Sequence, residues 1–313
     1  MTLIVAGYER SGFDKGKLFF ISDSAITRVI YNPATQERYV KTLLSGYRKV
    51  FKYNLIVRIP KFDSQGGFVS YYYKQEFGSC LIAFAGGKDT AHYVLSQIDI
   101  NLANLKLSLD NGLNVVTMAT PTFTQSNKVY DLDAYDISRL DNYIDFDLQH
   151  KAIETAIKDA LSSARTYKLD YSDIYDLKCQ FIAGIYCNKN RRHYLVKYVV
   201  DMIEVDGYYI PEITSHVVPE GEITFIGMKN HGESMKIEYQ EYLKDPKSKK
   251  DIPEEGSELK IWDDWYSSVP RLLEKFKDLI DIAKSNNEKE IDYPLHSFLM
   301  DQSSIMMHTY REK

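Results

Sequence analysis

Two apolar runs near the start of the chain constrain its fold more than any other feature. Leu3-Ile4-Val5-Ala6 and Leu18-Phe19-Phe20-Ile21 are continuous, with no polar residue at alternate positions. A strand with one wet face alternates apolar and polar residues, whereas an unbroken run suits a sheet covered on both faces. Between the strands, Leu3 to Tyr8 and Lys17 to Ser22, lies the polar segment Glu9 to Gly16, which holds Gly12 and Gly16. The pair reads as a hairpin with a medium loop.

The 313 residues suffice for one large domain or two small ones, and 44% hydrophobic with 27% charged residues is an ordinary globular composition. A net charge of −5 argues against a nucleic-acid partner, which calls for a basic face. The N-terminus lacks the charged-then-apolar order of a secretory signal, and no stretch approaches the roughly 18–20 apolar residues of a membrane span. A soluble, cytoplasmic protein with no membrane partner is expected. Cys80, Cys179 and Cys187 each border an apolar run, as packed, reduced thiols do. Many of the 25 Tyr fall in strand-like runs, which suits half-buried sheets and says nothing of ligands.

Further along, residues 28–48 read as a polar, aromatic-containing connection. A strand over 49–59 is ended by Pro60, followed by strands Phe68 to Tyr73 and Leu81 to Ala85, with 60–78 forming an extra hairpin. Ala91, Val94, Leu95, Ile98, Leu102 and Leu105 predict a helix from Asp89-Thr90. Val115 to Ala119 is a short strand and the acidic stretch to Asp147 is irregular. A second helix spans about 148–167. Strands follow at Phe181 to Cys187, Tyr194 to Asp201, Met202 to Ile210 and Ile223 to Ile226. Residues 241–258 form a polar surface loop. Trp262-Asp263-Asp264-Trp265 reads as the start of a helix packing on the sheet and not as a binding box, and a third helix starts near Ser267-Ser268, its cap, with Pro270 in its first turn. Pro294 to His308 gives closing strands. Pattern alone yields a mixed α/β class.

Thr2 follows the initiator Met and is small enough for Met1 to be trimmed. Removal leaves a hydroxyl and a free α-amine on one residue, a nucleophile with its own base. The amine titrates near ~8 in model compounds, so it can accept the hydroxyl proton near neutral pH. The strand after it ends in Asp23-Ser24-Ala25-Ile26-Thr27. Then come Arg48-Lys49-Val50-Phe51-Lys52-Tyr53 and Ile82-Ala83-Phe84-Ala85-Gly86-Gly87, ahead of the first helix. Gly86-Gly87-Lys88-Asp89-Thr90 is not a phosphate loop, because Ile82 stands at the leading Gly and Asp89 follows the Lys.

This order resembles the β-type subunits of the proteasome and its bacterial relatives, the threonine-protease branch of the N-terminal nucleophile (Ntn) hydrolases. The motifs cover about the first third of the chain. The resemblance implies an α+β fold, a four-layer α-β-β-α sandwich, as a single domain over 1–313 with inserted loops near 28–48, 60–78 and 241–258. It implies Thr2 as nucleophile, Asp23 and Lys49 as the pair that tunes it, the Gly86 amide as oxyanion donor and Asp292 as a supporting acid. A buried Asp23 needs a partner, and a cation at Lys49 would lower the pKa of the neighbouring amine. One oxyanion donor is commonly worth ~3 kcal/mol of barrier. Peptide or unfolded-protein substrates, a homo-oligomeric ring and an optional ATP-driven unfoldase partner are further expectations. No cofactor is expected, nor a metal, as no His-x-x-x-His or Cys-x-x-Cys spacing occurs. His231, in its Gly-flanked loop, is the one histidine singled out. Two family hydroxyls are missing: Met228 stands where a Ser follows a glycine, and Leu295 stands three residues after Asp292. That departure favours the alternative, an inactive scaffold or gating subunit. An amidase for small non-peptide amides is a third reading.

Overall fold

The two N-terminal runs become β1 (Leu3–Tyr8) and β2 (Leu18–Ser22), paired antiparallel with Ile4 opposite Ser22 in this computed structural model. The structure describes residues 2–9, 16–32, 37–110, 113–118, 135, 137–162, 164, 169, 174–244, 268–286, 291–302 and 304–311. Met1, the stretch 119–134, most of the 241–258 loop, Trp262 to Trp265 and Ser267 lie outside them.

Residues 28–48 are not a plain connection. They hold most of an antiparallel hairpin, β3 (Ile26–Asn32) with β4 (Glu37–Leu44). Ile26, Val29, Ile30, Tyr31, Tyr39 and Val40 supply strand-forming residues that outweigh the interspersed charges. β5 (Val50–Phe62) runs through Pro60, and its register with the next strand shifts between Ile59 and Pro60. Such an irregularity tolerates a residue with no N–H to give the ladder. The two strands expected at Phe68 to Tyr73 and Leu81 to Ala85 are one, β6 (Phe68–Gly86). It pairs with β5 from Phe62 to Val50, so a long partner holds its polar middle in extended form.

α1 (Lys88–Leu102) ends before Leu105, which instead opens β7 (Leu105–Asp110), paired with β8 (Leu113–Thr117). α2 (Phe146–Ser162) and the short α3 (Ile174–Leu177) precede β9 (Cys179–Cys187). β10 (Arg192–Val205) and β11 (Tyr208–Val218) form a hairpin whose turn falls at Asp206 and Gly207. The boundary expected at Met202 is therefore absent. After β12 (Ile223–Gly227) comes an unexpected helix, α4 (Lys229–Lys244). His231 and Gly232 lie in its first turn, not in a loop, and its Met235, Tyr239 and Tyr242 keep helical spacing. α5 (Ser268–Ser285), β13 (Leu295–Asp301) and β14 (Ser304–Tyr310) complete the order.

The strands form a five-stranded sheet, β12-β1-β2-β13-β14, and a seven-stranded sheet, β11-β10-β9-β6-β5-β7-β8, apart from the β3–β4 hairpin. β1 and β2 supply alternate residues to two different cores. Leu3, Val5, Phe19 and Ile21 pack with Met235 and Tyr239 of α4 and with Leu272, Phe276 and Ile280 of α5. Ile4, Ala6, Leu18 and Phe20 meet Val50, Leu81, Ala83 and Ile182 of the larger sheet. A third cluster buries α1 and α2 against that sheet, through Val94, Ile98, Ile153 and Ile157 with Val57, Ile82 and Phe181. This is why neither N-terminal strand alternates in sequence. Cys80, Cys179 and Cys187 are buried and free, and burial pushes the first two thiols up to about 12, so they stay protonated near neutral pH. Among the described residues no helix is long and apolar enough to cross a membrane.

Phe276 is wholly buried where α5 covers β1 and β2. Phe276→Ala is expected to cost about 3–5 kcal/mol in denaturant unfolding. A loss under about 1 kcal/mol would mean that α5 does not close that core.

Candidate active site

Asp23 is the first residue after β2, and its carboxylate meets three donors. Leu3 N–H donates to Oδ1 at 2.8 Å, Ala25 N–H to Oδ2 at 3.0 Å, and Lys49 Nζ to Oδ2 at 2.8 Å. Asp23 N–H returns a bond to Leu3 O at 3.2 Å. The side chains of Asp23 and Lys49 are 0% and 3% exposed, so the ion pair is dry. Burial holds the Lys49 pKa below its ordinary value, against the opposing pull of the Asp23 carboxylate. Removing two charges from water costs several kcal/mol each, which only close pairing and extra hydrogen bonds recover. Asp23 has both.

Thr2 is held from two sides. Its carbonyl accepts from Met228 N–H at 2.8 Å, and its next neighbour, Leu3, is the residue bonded to Asp23. Gly227, opposite Leu3 in the β1–β12 register, makes this close approach possible. Its φ is +93°, and a Cβ there would stand 1.7 Å from Thr2 O. Only a glycine tolerates both conditions. Gly227 N–H donates in turn to Gln180 Oε1 at 3.1 Å. Neither Gln180 nor the role of Gly227 is foreseen from the sequence.

Lys49 lies just before β5, and its carbonyl accepts from Phe84 N–H at 3.2 Å. Gly86 is two residues beyond Phe84, at the end of β6, with φ +116°. A Cβ there would lie 2.3 Å from Lys178 O, so this position is closed to other residues. Gly87 N–H is already committed to Lys178 O at 3.2 Å. Asp292 is placed differently. Its backbone carbonyl accepts from Ser24 N–H at 3.3 Å, while its carboxylate binds Lys284 Nζ at 3.2 Å and Tyr293 N–H at 2.8 Å. Thus Thr2, Asp23 and Lys49 are brought together, Gly86 lies at the same end of the larger sheet as Lys49, and the Asp292 carboxylate faces α5. The two substituted positions are apolar and packed: Met228 and Leu295 both belong to the core under α4 and α5.

A group of rings that sequence reading does not single out flanks this end of β5 and β6. Phe51 stacks on Phe84 at 6.2 Å, His92 packs edge-on to both, and Tyr47 makes edge contacts with Phe84 and His92. The Tyr47 hydroxyl also bonds His92 Nε2, and Lys88 Nζ lies 5.5 Å over the Tyr47 ring. The available signal is strand alternation, which sets Phe84 on the face of Gly86. Ser24 ties the segment down, its Oγ accepting from Gly46 N–H and its carbonyl from Tyr47 N–H, each at 3.0 Å. Among the described residues no cluster of His, Cys, Asp and Glu could hold a metal ion.

No protein-family model matches the sequence, and no curated protein does. Two solved structures that match are Anbu proteins. One is an Anbu (Gly-1) mutant from Hyphomicrobium sp. strain MC1, 14% identical, covering 99% of this chain and 88% of that one, with a TM-score of 0.40. The other is Anbu (ancestral beta-subunit) from Yersinia bercovieri, 12% identical, covering 99% of this chain and 87% of that one, with a TM-score of 0.38. These matches correct the family expected from the sequence: the solved neighbours are of the Anbu type, not proteasome β-type subunits. At TM-scores this low the likeness decides neither fold nor site.

Lys49→Met leaves Asp23 buried and unpaired and is expected to cost about 3–5 kcal/mol of stability. In the Asp23→Asn/Lys49→Met double variant the loss should fall below the sum of the single losses, because the two share one interaction. Additive losses in denaturant melts would mean that the pair is not coupled. Gly227→Ala should destabilise far more than Gly207→Ala, whose φ of +81° is similar but whose added Cβ would meet nothing within 4 Å. Equal losses would contradict the packing of Thr2 on β12.

Proposed function

We propose that this chain is a hydrolase of amide bonds that uses Thr2, freed of Met1, as an N-terminal nucleophile. One observation carries the reading: the Leu3 amide and the Lys49 ammonium share the buried Asp23 carboxylate, one residue from the Thr2 hydroxyl. In this reading Thr2 Oγ attacks the substrate carbonyl carbon and its proton passes to the α-amine. The developing oxyanion accepts from Gly86 N–H. The leaving amine departs with the proton, and water hydrolyses the ester left on Thr2. Lys49 supplies a fixed positive charge that lowers the amine's affinity for its proton, and Asp23 keeps that charge in place. Asp292 acts through its carbonyl, steadying Ser24 and so the turn after Asp23.

The arrangement of the cores supports a four-layer α-β-β-α sandwich built as one domain, with α1 and α2 outside the larger sheet and α4 and α5 outside the smaller. Peptides or unfolded proteins are the substrates we favour, and a homo-oligomeric ring the assembly. A second reading, an inactive scaffold, draws on Met228 and Leu295. Both stand at positions where a hydroxyl would support the site, and both are engaged in packing.

A β-lactone or an epoxyketone that modifies N-terminal Thr separates the two. Intact mass should show Met1 absent and one adduct on the wild type, with none on Thr2→Ala. Retained Met1, or a wild type that is never labelled, would leave the scaffold reading in place.

A further inference from the structure

The space between the sheets contains a polar pair that the mechanism above does not use. Ser22, the last residue of β2, lies opposite Ile4 of β1 and opposite His296 of β13. Alternation gives both the inward face: Ser22 follows Phe20 by two and His296 precedes Phe298 by two, and both phenylalanines belong to the intersheet core. Ser22 is 0% exposed and His296 6%. Ser22 Oγ and His296 Nε2 are each buried and, among the described residues, have no hydrogen-bond partner.

The other ring nitrogen is accounted for. His296 Nδ1 lies 3.2 Å from Oγ1 of Thr309, its register partner on β14, and Thr309 is exposed. If Nδ1 carries the proton, it donates to the hydroxyl and Nε2 needs a donor. If the hydroxyl donates to Nδ1, Nε2 carries the proton and needs an acceptor. Either tautomer leaves one buried nitrogen to satisfy, beside one buried hydroxyl. A water can serve both, donating or accepting as required, and buried waters typically join about two to four such groups.

We propose that Ser22 Oγ and His296 Nε2 bind one internal water, and that the chain Thr309–His296–water–Ser22 is a positioning element for Asp23. Ser22 is covalently next to Asp23, so whatever fixes the Ser22 side chain fixes the point where the carboxylate leaves the sheet. Among the described residues the charges that act on His296 are Arg48 and Asp23, with Lys49 bonded to Asp23 in turn. Arg48 stands 5.4 Å over the Phe298 ring. Burial and the Arg48 charge hold the imidazole below its ordinary pKa, against the pull of Asp23, so it is neutral near pH 7. The unfolded chain takes up this proton more readily than the folded one. The stability it confers is therefore present above the ordinary imidazole pKa of ~6.5 and is lost as pH falls below it. A protonated His296 would also compete with Lys49 for Asp23. Asp23 takes its role from the hydrolase reading, but the water and its pH signature do not depend on activity.

A high-resolution crystal structure should show a water within hydrogen-bond distance of both atoms. A dry gap, or a direct Ser22–His296 bond, would overturn the proposal. In solution, the Leu3 amide resonance reports its bond to Asp23. It should shift as pH falls through the His296 titration in the wild type and stay flat in His296→Gln. Ser22→Ala removes one partner of the water while sparing the imidazole, and should move the His296 titration midpoint. A Leu3 resonance that moves equally in wild type and His296→Gln would also overturn the proposal. A wild type that Thr-directed probes never label would count against the hydrolase reading alone.

Discussion

The bond from the Leu3 amide to Asp23 is the contact on which the rest of the structure depends. It ties the first strand to the end of the second at the point where a charge is buried. A carboxylate with no solvent access is tolerable only when its oxygens are filled by donors, and here two amides and one ammonium do so. That requirement fixes much else. β5 must begin where Lys49 can reach inward, and β2 must lie in the middle of its sheet. Both faces of β1 and β2 must be covered, so that the pair is not reached by water.

Backbone closeness is the second constraint, and it falls on glycines. Gly227 lets β12 lie against the carbonyl of Thr2, and Gly86 lets β6 end against Lys178. Neither position admits a side chain, for the added atom would overlap backbone rather than a movable group. The Met228 amide then reaches Thr2 O, so the residue that leads into β1 is held through its backbone.

Much of this was legible in the sequence. Continuous apolar runs announced doubly covered strands, and β1 and β2 are buried at every residue. The roles of Asp23 and Lys49 come from the family resemblance; the structure bonds Asp23 to Lys49 and to Leu3, the residue after Thr2. Other parts were not legible, for identifiable reasons. α4 begins beside two glycines, so local propensity spoke for a loop, while Met235, Tyr239 and Tyr242 carried the helical period. Pro60 argued for a strand end, yet an irregular register absorbs it within β5. Asp292 was read by its side chain, whereas its carbonyl meets the segment after Asp23. The ring cluster of Tyr47, Phe51, Phe84 and His92 joins residues far apart in sequence. Such a cluster depends on the pairing of β5 with β6, which a single sequence does not display.

The central claim is that a buried cation, anchored by Asp23, acts on the amine of Thr2. It is tested most directly by following that amine through a pH titration, with isotope-labelled threonine in protein lacking Met1. Beside the Lys49 ammonium the Thr2 amine should titrate below the roughly 7.7–8.0 of an ordinary chain terminus. A midpoint within or above that range would contradict the claim.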